Sequence, residues 1–150
     1  MALVIPELLR EALARPTAVF GEGVSGQGVL ALLRRLGLPG VCYDERGVAF
    51  TAERAAAHRL VVFSPGFAAD HAWHRLARER GLLCLGEMDF AALFWKGRAI
   101  AITGTNGKTT LTEFLTHALR QEWEQAHAVG NIGRPLARLV ADTAGGTKAD

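Results

Sequence analysis

The stretch TAVFGEGVSGQGVLALLRRLG, residues 17–37, sets the fold expected for the whole chain. Its first four residues form an apolar run of strand length, and a glycine-rich loop follows directly. Behind the loop, apolar residues recur at the spacing of one helix face: Val29, Leu32, Leu33 and Leu36. Strand, glycine loop and helix in this order predict the first unit of a parallel α/β sheet.

The glycine loop has the spacing Gly21-x-Gly23-x-x-Gly26. Glycines at these positions let the backbone turn tightly and approach a pyrophosphate, which the N-terminus of the following helix attracts. Asp44 ends the next predicted strand, where a carboxylate can accept hydrogen bonds from a nucleoside. The loop therefore predicts a nucleotide diphosphate site, while the alternative is that its glycines serve only the packing of strand and helix.

The alternation of strand and helix continues to about residue 96. Further strands are predicted at 40–44, 47–50, 59–63 and 82–86, and helices around 70–80 and 86–95. Strands that are apolar on both faces suit a buried, Rossmann-like parallel sheet flanked by helices. The pattern breaks at Lys96-Gly97-Arg98, so we place a boundary there between domains at 1–96 and 97–150.

A second strand-loop-helix unit follows that boundary and predicts the start of a P-loop ATPase α/β domain. The apolar run at 99–103 predicts a strand, and Gly104-Thr105-Asn106-Gly107-Lys108-Thr109-Thr110 separates it from an amphipathic helix. Loop amides would hold ATP phosphates, Lys108 would neutralise the β and γ oxygens, and Thr109 would ligate Mg²⁺. The loop departs from the usual P-loop, because Ile102 stands where the first glycine would fall.

Two phosphate-binding loops on one chain narrow the chemistry. A dehydrogenase would leave the second loop unused, and a simple kinase would leave the first unused. An enzyme that energises a nucleotide-linked substrate with ATP would use both loops.

Composition and charge exclude other classes of protein. The 150 residues carry a net charge of +2 with acids and bases interleaved, which argues against a nucleic-acid-binding face. No apolar run approaches the roughly 20 residues that span a bilayer, and Glu7, Arg10 and Glu11 interrupt the place of a signal peptide. We therefore expect a cytoplasmic monomer with neither nucleic acid nor membrane as a partner.

Two histidines lie one helical turn apart on the predicted helix at 70–80. His71 and His74 have a spacing that can bind a metal ion, but they offer only two ligands. A solvent-exposed pair is the favoured interpretation.

Four segments in a fixed order resemble the Mur ligase family, and the resemblance covers nearly the whole chain. They are GEGVSGQGVLALLRRLG (21–37), VVFSPGF (61–67), AITGTNGKTT (101–110) and VGNIGRPL (129–136). GTNGKTT is shared among several Mur ligases and is similar to the folylpolyglutamate synthetase loop. GNIGxP points to the branch that adds D-glutamate to UDP-N-acetylmuramoyl-L-alanine.

This resemblance implies that the first domain holds the UDP moiety of the substrate. By position, six residues would contact the diphosphate, uracil or ribose: Val24, Ser25, Gly26, Asp44, Glu45 and Arg46. Glu45 departs from the family pattern, which often has a small hydroxyl residue there. Asn131 would reach the substrate near the reacting centre; the alternative is a turn asparagine in a left-handed backbone.

The reaction implied by the resemblance uses ATP and Mg²⁺ as cofactors and Lys108 as the catalytic residue. ATP would phosphorylate the substrate carboxylate, and the amine of D-glutamate would attack the acyl phosphate. The family's remaining catalytic residues and its amino-acid-binding domain lie outside residues 1–150, so a fragment that is inactive alone is expected. Three alternatives stay open: a ligase for another amino acid, a non-catalytic nucleotide-sugar-binding module, and a dinucleotide-dependent oxidoreductase.

Overall fold

A four-stranded parallel sheet organises the structure, a computed structural model that describes residues 3–68 and 70–145. The strands are β1 (Thr17–Phe20), β2 (Gly40–Tyr43), β3 (Leu60–Phe63) and β4 (Leu83–Gly86), in the spatial order β2-β1-β3-β4. Central β1 pairs Ala18 with Val41 on one side and with Val61 on the other. The predicted α/β class, with a Rossmann-like parallel sheet flanked by helices, is confirmed.

Six helices accompany the sheet in the described part of the chain. They are α1 (Val24–Arg35), α2 (Ala52–Ala55), α3 (Ala72–Glu79), α4 (Glu87–Ala92), α5 (Lys108–Leu119) and α6 (Leu136–Thr143). Two short 3-10 turns at Glu7–Leu9 and Ala12–Ala14 precede β1. Across residues 3–68 and 70–145, no helix has the length and apolarity that a bilayer-spanning segment needs.

The two faces of the sheet have different cores because successive side chains of a strand point to opposite faces. Val19 and Val62 face α1, α4 and α6, where they pack with aliphatic side chains such as Leu32 and Val140. Phe20 belongs to the other face, which is rich in aromatic rings: Tyr43, Phe50, Phe63, Phe67 and Trp73. Both faces are covered, as expected for a parallel sheet.

Residues 47–50, predicted as a strand, do not pair with any described strand. Phe50 is buried for a different reason, since its ring lies 4.8 Å from the ring of Phe20 in an edge-to-face contact. The apolar pattern there reflects one anchoring aromatic side chain and not a ladder of backbone hydrogen bonds.

His74 lies in the aromatic core, so the predicted solvent-exposed histidine pair is wrong. The residue is buried, its ring centroid lies 4.3 Å from that of Phe63, and neither ring nitrogen has a hydrogen-bond partner among the described residues. Burial lowers the pKa of His74, and the nearby Arg78 and His71 lower it further. His74 is therefore a neutral core residue.

The segment after residue 97 divides into an exposed part and a packed part. Residues 99–103, predicted as a strand, form none, because no described strand lies beside them to pair with their backbone groups. The helix α5 begins at Lys108 after the glycine loop, as predicted, but none of its residues is buried and Phe114 is 70% exposed. The domain boundary near residue 97 stays a prediction.

The packed part is α6, which lies against α1 and α4. A β-carbon added at Gly28 of α1 would lie 3.1 Å from Cβ of Pro135 and 3.3 Å from the backbone nitrogen of Arg138. Glu87 of α4, only 3% exposed, accepts a 2.7 Å hydrogen bond from the backbone N–H of Ala137. A buried carboxyl group thus caps the N-terminus of α6 and joins it to the sheet domain.

Replacing Glu87 by alanine should lower the free energy of unfolding by about 1–3 kcal/mol, because the buried amide of Ala137 loses its acceptor. Glu87→Gln keeps an acceptor and is the matched control. Burial raises the pKa of Glu87, and the hydrogen bond from Ala137 opposes that rise. Ionisation of Glu87 therefore disfavours the folded state. The stability contributed by protonated Glu87 is fully present below the pKa that Glu87 has in the unfolded chain, and it is lost as the pH rises through the pKa of the folded protein.

Urea denaturation at pH 4.5 and pH 8 measures both effects of Glu87. The glutamine variant should gain stability relative to the wild type as the pH rises. If the alanine and glutamine variants were equally stable, Glu87 would not cap α6 in solution.

Candidate functional site

A cavity of about 550 Å³ opens at the carboxyl ends of β1 and β3. The connections after these neighbouring strands leave in opposite directions, which is where open α/β sheets bind ligands. Three separate segments line the cavity: the glycine loop with Val24 and Ser25, the turn after β3 with Ser64 and Gly66, and the segment with Gly130, Asn131, Gly133 and Pro135. The fold thus joins distant parts of the sequence in one pocket.

The three positions of the first loop require glycine to different degrees and for different structural reasons. Gly21 adopts a φ of 99°, which side-chain-bearing residues rarely adopt. A β-carbon added at Gly26 would lie 1.8 Å from the carbonyl oxygen of Gly21, so only glycine lets α1 approach the loop this closely. Gly23 has ordinary dihedral angles and nothing within 4 Å of an added β-carbon. Packing therefore explains Gly26, but it does not explain Gly23, which lies at the cavity wall.

The N-terminus of α1 faces this cavity. Gly23 is its N-cap residue, and no side chain from the described part of the chain caps the helix. Val24 and Ser25, predicted from the resemblance to contact a diphosphate, are the first two helical residues and both line the cavity. Uncapped first-turn amides and the positive end of the helix dipole suit an anion.

Asp44 ties the turn after β2 to the glycine loop. Its Oδ2 accepts a 2.9 Å hydrogen bond from the backbone N–H of Glu22, and its Oδ1 accepts a 3.0 Å bond from the N–H of Arg46. The hydrogen bonds from Arg46 and Glu22 hold the pKa of Asp44 below its usual value. Asp44 is thus ionised at neutral pH, and each oxygen keeps a second lone pair for a ribose hydroxyl.

Glu45 and Arg46 occupy the exposed tip of the same turn. The carboxylate of Glu45 lies 2.9 Å from Nε2 of His71, at the start of α3. The side chain of Glu45 therefore contacts a histidine that sequence reasoning did not assign to the site.

Asn131 lines the same cavity as the glycine loop. Its neighbours Gly130 and Gly133 have φ angles of 110° and 72°, and a β-carbon at Gly133 would lie 2.6 Å from the carbonyl oxygen of Ala128. Asn131 itself does not have a positive φ, so the alternative of a left-handed turn asparagine is wrong. The glycines make the turn, and the amide side chain of Asn131 is left for other contacts.

The second glycine loop, residues 104–110, is exposed throughout. Gly104 and Gly107 have positive φ angles, and Gly107 is the N-cap of α5. The ammonium group of Lys108 donates to the carbonyl oxygens of Gly104 and Thr105. Thr109 and Thr110 lie in the first helical turn, where a threonine hydroxyl can supply one oxygen ligand to Mg²⁺ beside phosphate oxygens.

Within residues 3–68 and 70–145, the second loop does not contribute to the cavity at the sheet edge. The same described residues contain no group of three or more His, Cys, Asp or Glu that could hold a metal ion by themselves. The roles of Lys108 and Thr109 therefore stay predictions.

Ser64 is a cavity residue that sequence reasoning did not assign to the site. Its hydroxyl oxygen is buried without a hydrogen-bond partner in the described residues, and it lies 2.9 Å from where a β-carbon of Gly21 would be. The signal in the sequence was the Ser-Pro-Gly turn after a buried strand, which marks a loop at the ligand-binding edge.

Curated relatives of the chain share one name, UDP-N-acetylmuramoylalanine--D-glutamate ligase. The chain is 34% identical to the one from Aquifex aeolicus over 83% of its own length and 30% of the relative's. The relative from Thermus thermophilus is 36% identical over 81% of this chain and 32% of its own length, and that from Solibacter usitatus is 41% identical over 69% and 24%. No family model matches the chain.

The chain thus spans about a third or less of the length of these relatives. The matches cover most of the chain and agree with the parallel sheet and its glycine loop. The chain belongs to the Mur ligase family, and it is similar to an amino-terminal portion of the UDP-N-acetylmuramoylalanine--D-glutamate ligases.

Proposed function

We propose that this chain is the UDP-binding part of an ATP-dependent ligase that joins D-glutamate to UDP-N-acetylmuramoyl-L-alanine in peptidoglycan precursor synthesis. One observation carries the proposal. The cavity at the sheet edge is lined by three of the four segments that resemble the family: the glycine loop, the Ser-Pro-Gly turn and the Gly-Asn-Ile-Gly turn.

The pyrophosphate of the ligand would lie at the N-terminus of α1. There the amides around Val24, Ser25 and Gly26 donate hydrogen bonds, and the hydroxyl of Ser64 adds a donor. No lysine or arginine of the described ranges lines this cavity, while Arg134 and Arg138 line an adjoining one that shares Gly23 and Val24 with it. Backbone dipoles at the end of α1 would add to the attraction for the anion. Asp44 would accept from the ribose, and Asn131 would donate to the sugar end.

The ATP-binding half of the proposal rests on the second loop. Amides of residues 104–107 would hold the triphosphate, and Lys108 would exchange its loop carbonyl partners for the β and γ oxygens. When bound by Thr109, Mg²⁺ neutralises charge on the transferred phosphoryl group. In the proposed reaction the substrate carboxylate would displace ADP from the γ phosphoryl group to give an acyl phosphate. The amine of D-glutamate would then displace phosphate and lose a proton to form the amide, so no serine or cysteine nucleophile is needed.

Two further properties belong to the same proposal. A reaction that consumes ATP is expected in the cytoplasm, and we propose a monomer acting on small-molecule substrates. Because the chain spans about a third or less of the length of these relatives, we propose that it binds the UDP moiety but does not turn over alone.

Calorimetric titration of the chain with UDP, UDP-N-acetylmuramoyl-L-alanine and NAD tests the proposal. Both UDP compounds should bind, and NAD should not. Val24→Asp should weaken UDP binding by about tenfold or more, because a carboxylate would face the pyrophosphate. The fold should be preserved, since Val24 is 75% exposed and an acid suits the first turn of a helix.

Val4→Asp, at an exposed valine away from the cavity, is the matched control and should bind UDP as the wild type does. Binding of NAD in preference to UDP would contradict the ligase proposal and favour a dinucleotide-dependent oxidoreductase. If the wild-type chain bound none of the three ligands, the proposed nucleotide-binding site would be wrong.

A further inference from the structure

The Glu45–His71 pair joins segments that follow the two strands flanking β1. Glu45 comes directly after β2, and His71 comes before α3 in the connection that leaves β3. Because β1 lies between β2 and β3, the 2.9 Å contact between Glu45 Oε1 and His71 Nε2 links the two sides of the site. Neither residue lines the cavity at the carboxyl ends of β1 and β3.

His71 is held rigidly on its side of the pair. Its Nδ1 accepts a 3.2 Å hydrogen bond from the backbone N–H of Trp73, which caps α3. The ring packs edge-on against Phe67, with centroids 4.9 Å apart, and its side chain is only 20% exposed. Since Nδ1 is an acceptor, Nε2 carries the ring hydrogen and donates a hydrogen bond to the carboxylate of Glu45.

Glu45 is held in a turn that is itself attached to the glycine loop. Asp44 accepts from the amide of Glu22 in that loop, so the turn has one anchor beside β1. The bond from Glu45 to His71 is a second anchor, on the α3 side. The two contacts therefore join the turn to the glycine loop on one side and to the start of α3 on the other.

We infer that Glu45 and His71 are positioning residues for the nucleoside end of the ligand. Their hydrogen bond holds the turn at Asp44 and Arg46 in the geometry that receives the uridine, so that residue 45 acts as an anchor and not as a contact. The inference deepens the proposed function and rests on it. The family pattern often has a small hydroxyl residue at position 45. In this chain, Glu45 has a hydrogen-bond partner, His71, that lies 26 positions away in the sequence.

Four variants of the intact chain test the pair. Glu45→Ala and His71→Asn each remove the hydrogen bond, while asparagine keeps an acceptor for the N–H of Trp73 and so preserves the cap of α3. Each should raise the Kd for UDP and for uridine by about two- to fivefold, the size expected of a partly exposed pair. Glu45→Gln keeps an acceptor for Nε2–H and should bind as the wild type does. The double variant Glu45→Ala/His71→Asn should be no weaker than either single variant.

Pyrophosphate is the comparison ligand, and its affinity should be unchanged in all four variants, because it contacts only the helix end. Glu11→Ala is the matched control, since it breaks the Glu11–Arg59 pair at the opposite edge of the sheet. Thermal denaturation of each variant shows whether the fold is retained.

Wild-type affinity for uridine in Glu45→Ala and His71→Asn would overturn the inference while leaving the proposed function intact. Equal weakening of uridine and pyrophosphate, or additive losses in the double variant, would also overturn it. A wild-type chain that binds no uridine compound would overturn the proposed function and this inference together.

Discussion

Gly26→Ala should lower the free energy of unfolding of this chain by about 3 kcal/mol or more, the cost of overpacking where nothing can give way. The added methyl group would lie 1.8 Å from the carbonyl oxygen of Gly21 and 3.0 Å from its carbonyl carbon. Both are backbone atoms, so no rotamer change relieves the clash and α1 must move away from the loop. Alanine's better helix propensity, worth about 1 kcal/mol, offsets only part of this loss.

Gly23→Ala is the control for that experiment, because it lies in the same loop with open space around an added β-carbon. Its stability should fall by no more than about 1 kcal/mol, because alanine is a poorer N-cap than glycine but meets no steric clash here. Thermal and urea denaturation followed by circular dichroism measure both variants. Equal stability of the two variants would show that α1 does not approach Gly21 closely in solution.

Lys108→Ala should reduce ligation by about 10²- to 10³-fold in a full-length ligase that carries this chain, the loss typical of one removed charge-stabilising donor. The proposed reaction builds negative charge on the transferred phosphoryl group, and Lys108 is the cation that the second loop offers to it. The effect should fall on phosphate release with saturating ATP, while UDP binding stays unchanged.

Lys96→Ala removes another lysine outside the loop and should leave phosphate release near the wild-type rate. Activity of Lys108→Ala within a few-fold of the wild type would contradict the proposed role. In that case, Lys108 would serve to hold the loop in shape through its contacts with the carbonyl oxygens of Gly104 and Thr105.

Local patterns predicted the sheet well, because the signals for a buried strand lie within the strand itself. The run at 59–63 gave β3, and the glycine loop followed by the stripe beginning at Val29 gave the loop and α1. Residues 99–103 carry an equally apolar pattern but form no strand, since a strand also needs a neighbour to pair with. Periodicity reports the apolar face of a segment and not the presence of its partner.

The candidate site shows the same division between local and distant information. The glycine loop and Asn131 were predicted and line one cavity, because each belongs to a recognisable turn. Ser64, His71 and Glu87 were missed as functional or positioning residues. Each depends on a contact with a residue at least 26 positions away, and no local pattern specifies such a contact.

The docking of α6 makes the segment between residues 97 and 135 an excursion that leaves the sheet domain and returns to it. The return is closed by α6 and by a 2.7 Å hydrogen bond from the N–H of Lys96 to the carbonyl oxygen of Gly145. A segment attached at both ends has less conformational freedom than a segment attached at one end. Any approach of the loop at 104–110 to the cavity at the carboxyl ends of β1 and β3 would therefore be restricted, and Asn131 lies shortly before α6 in the sequence.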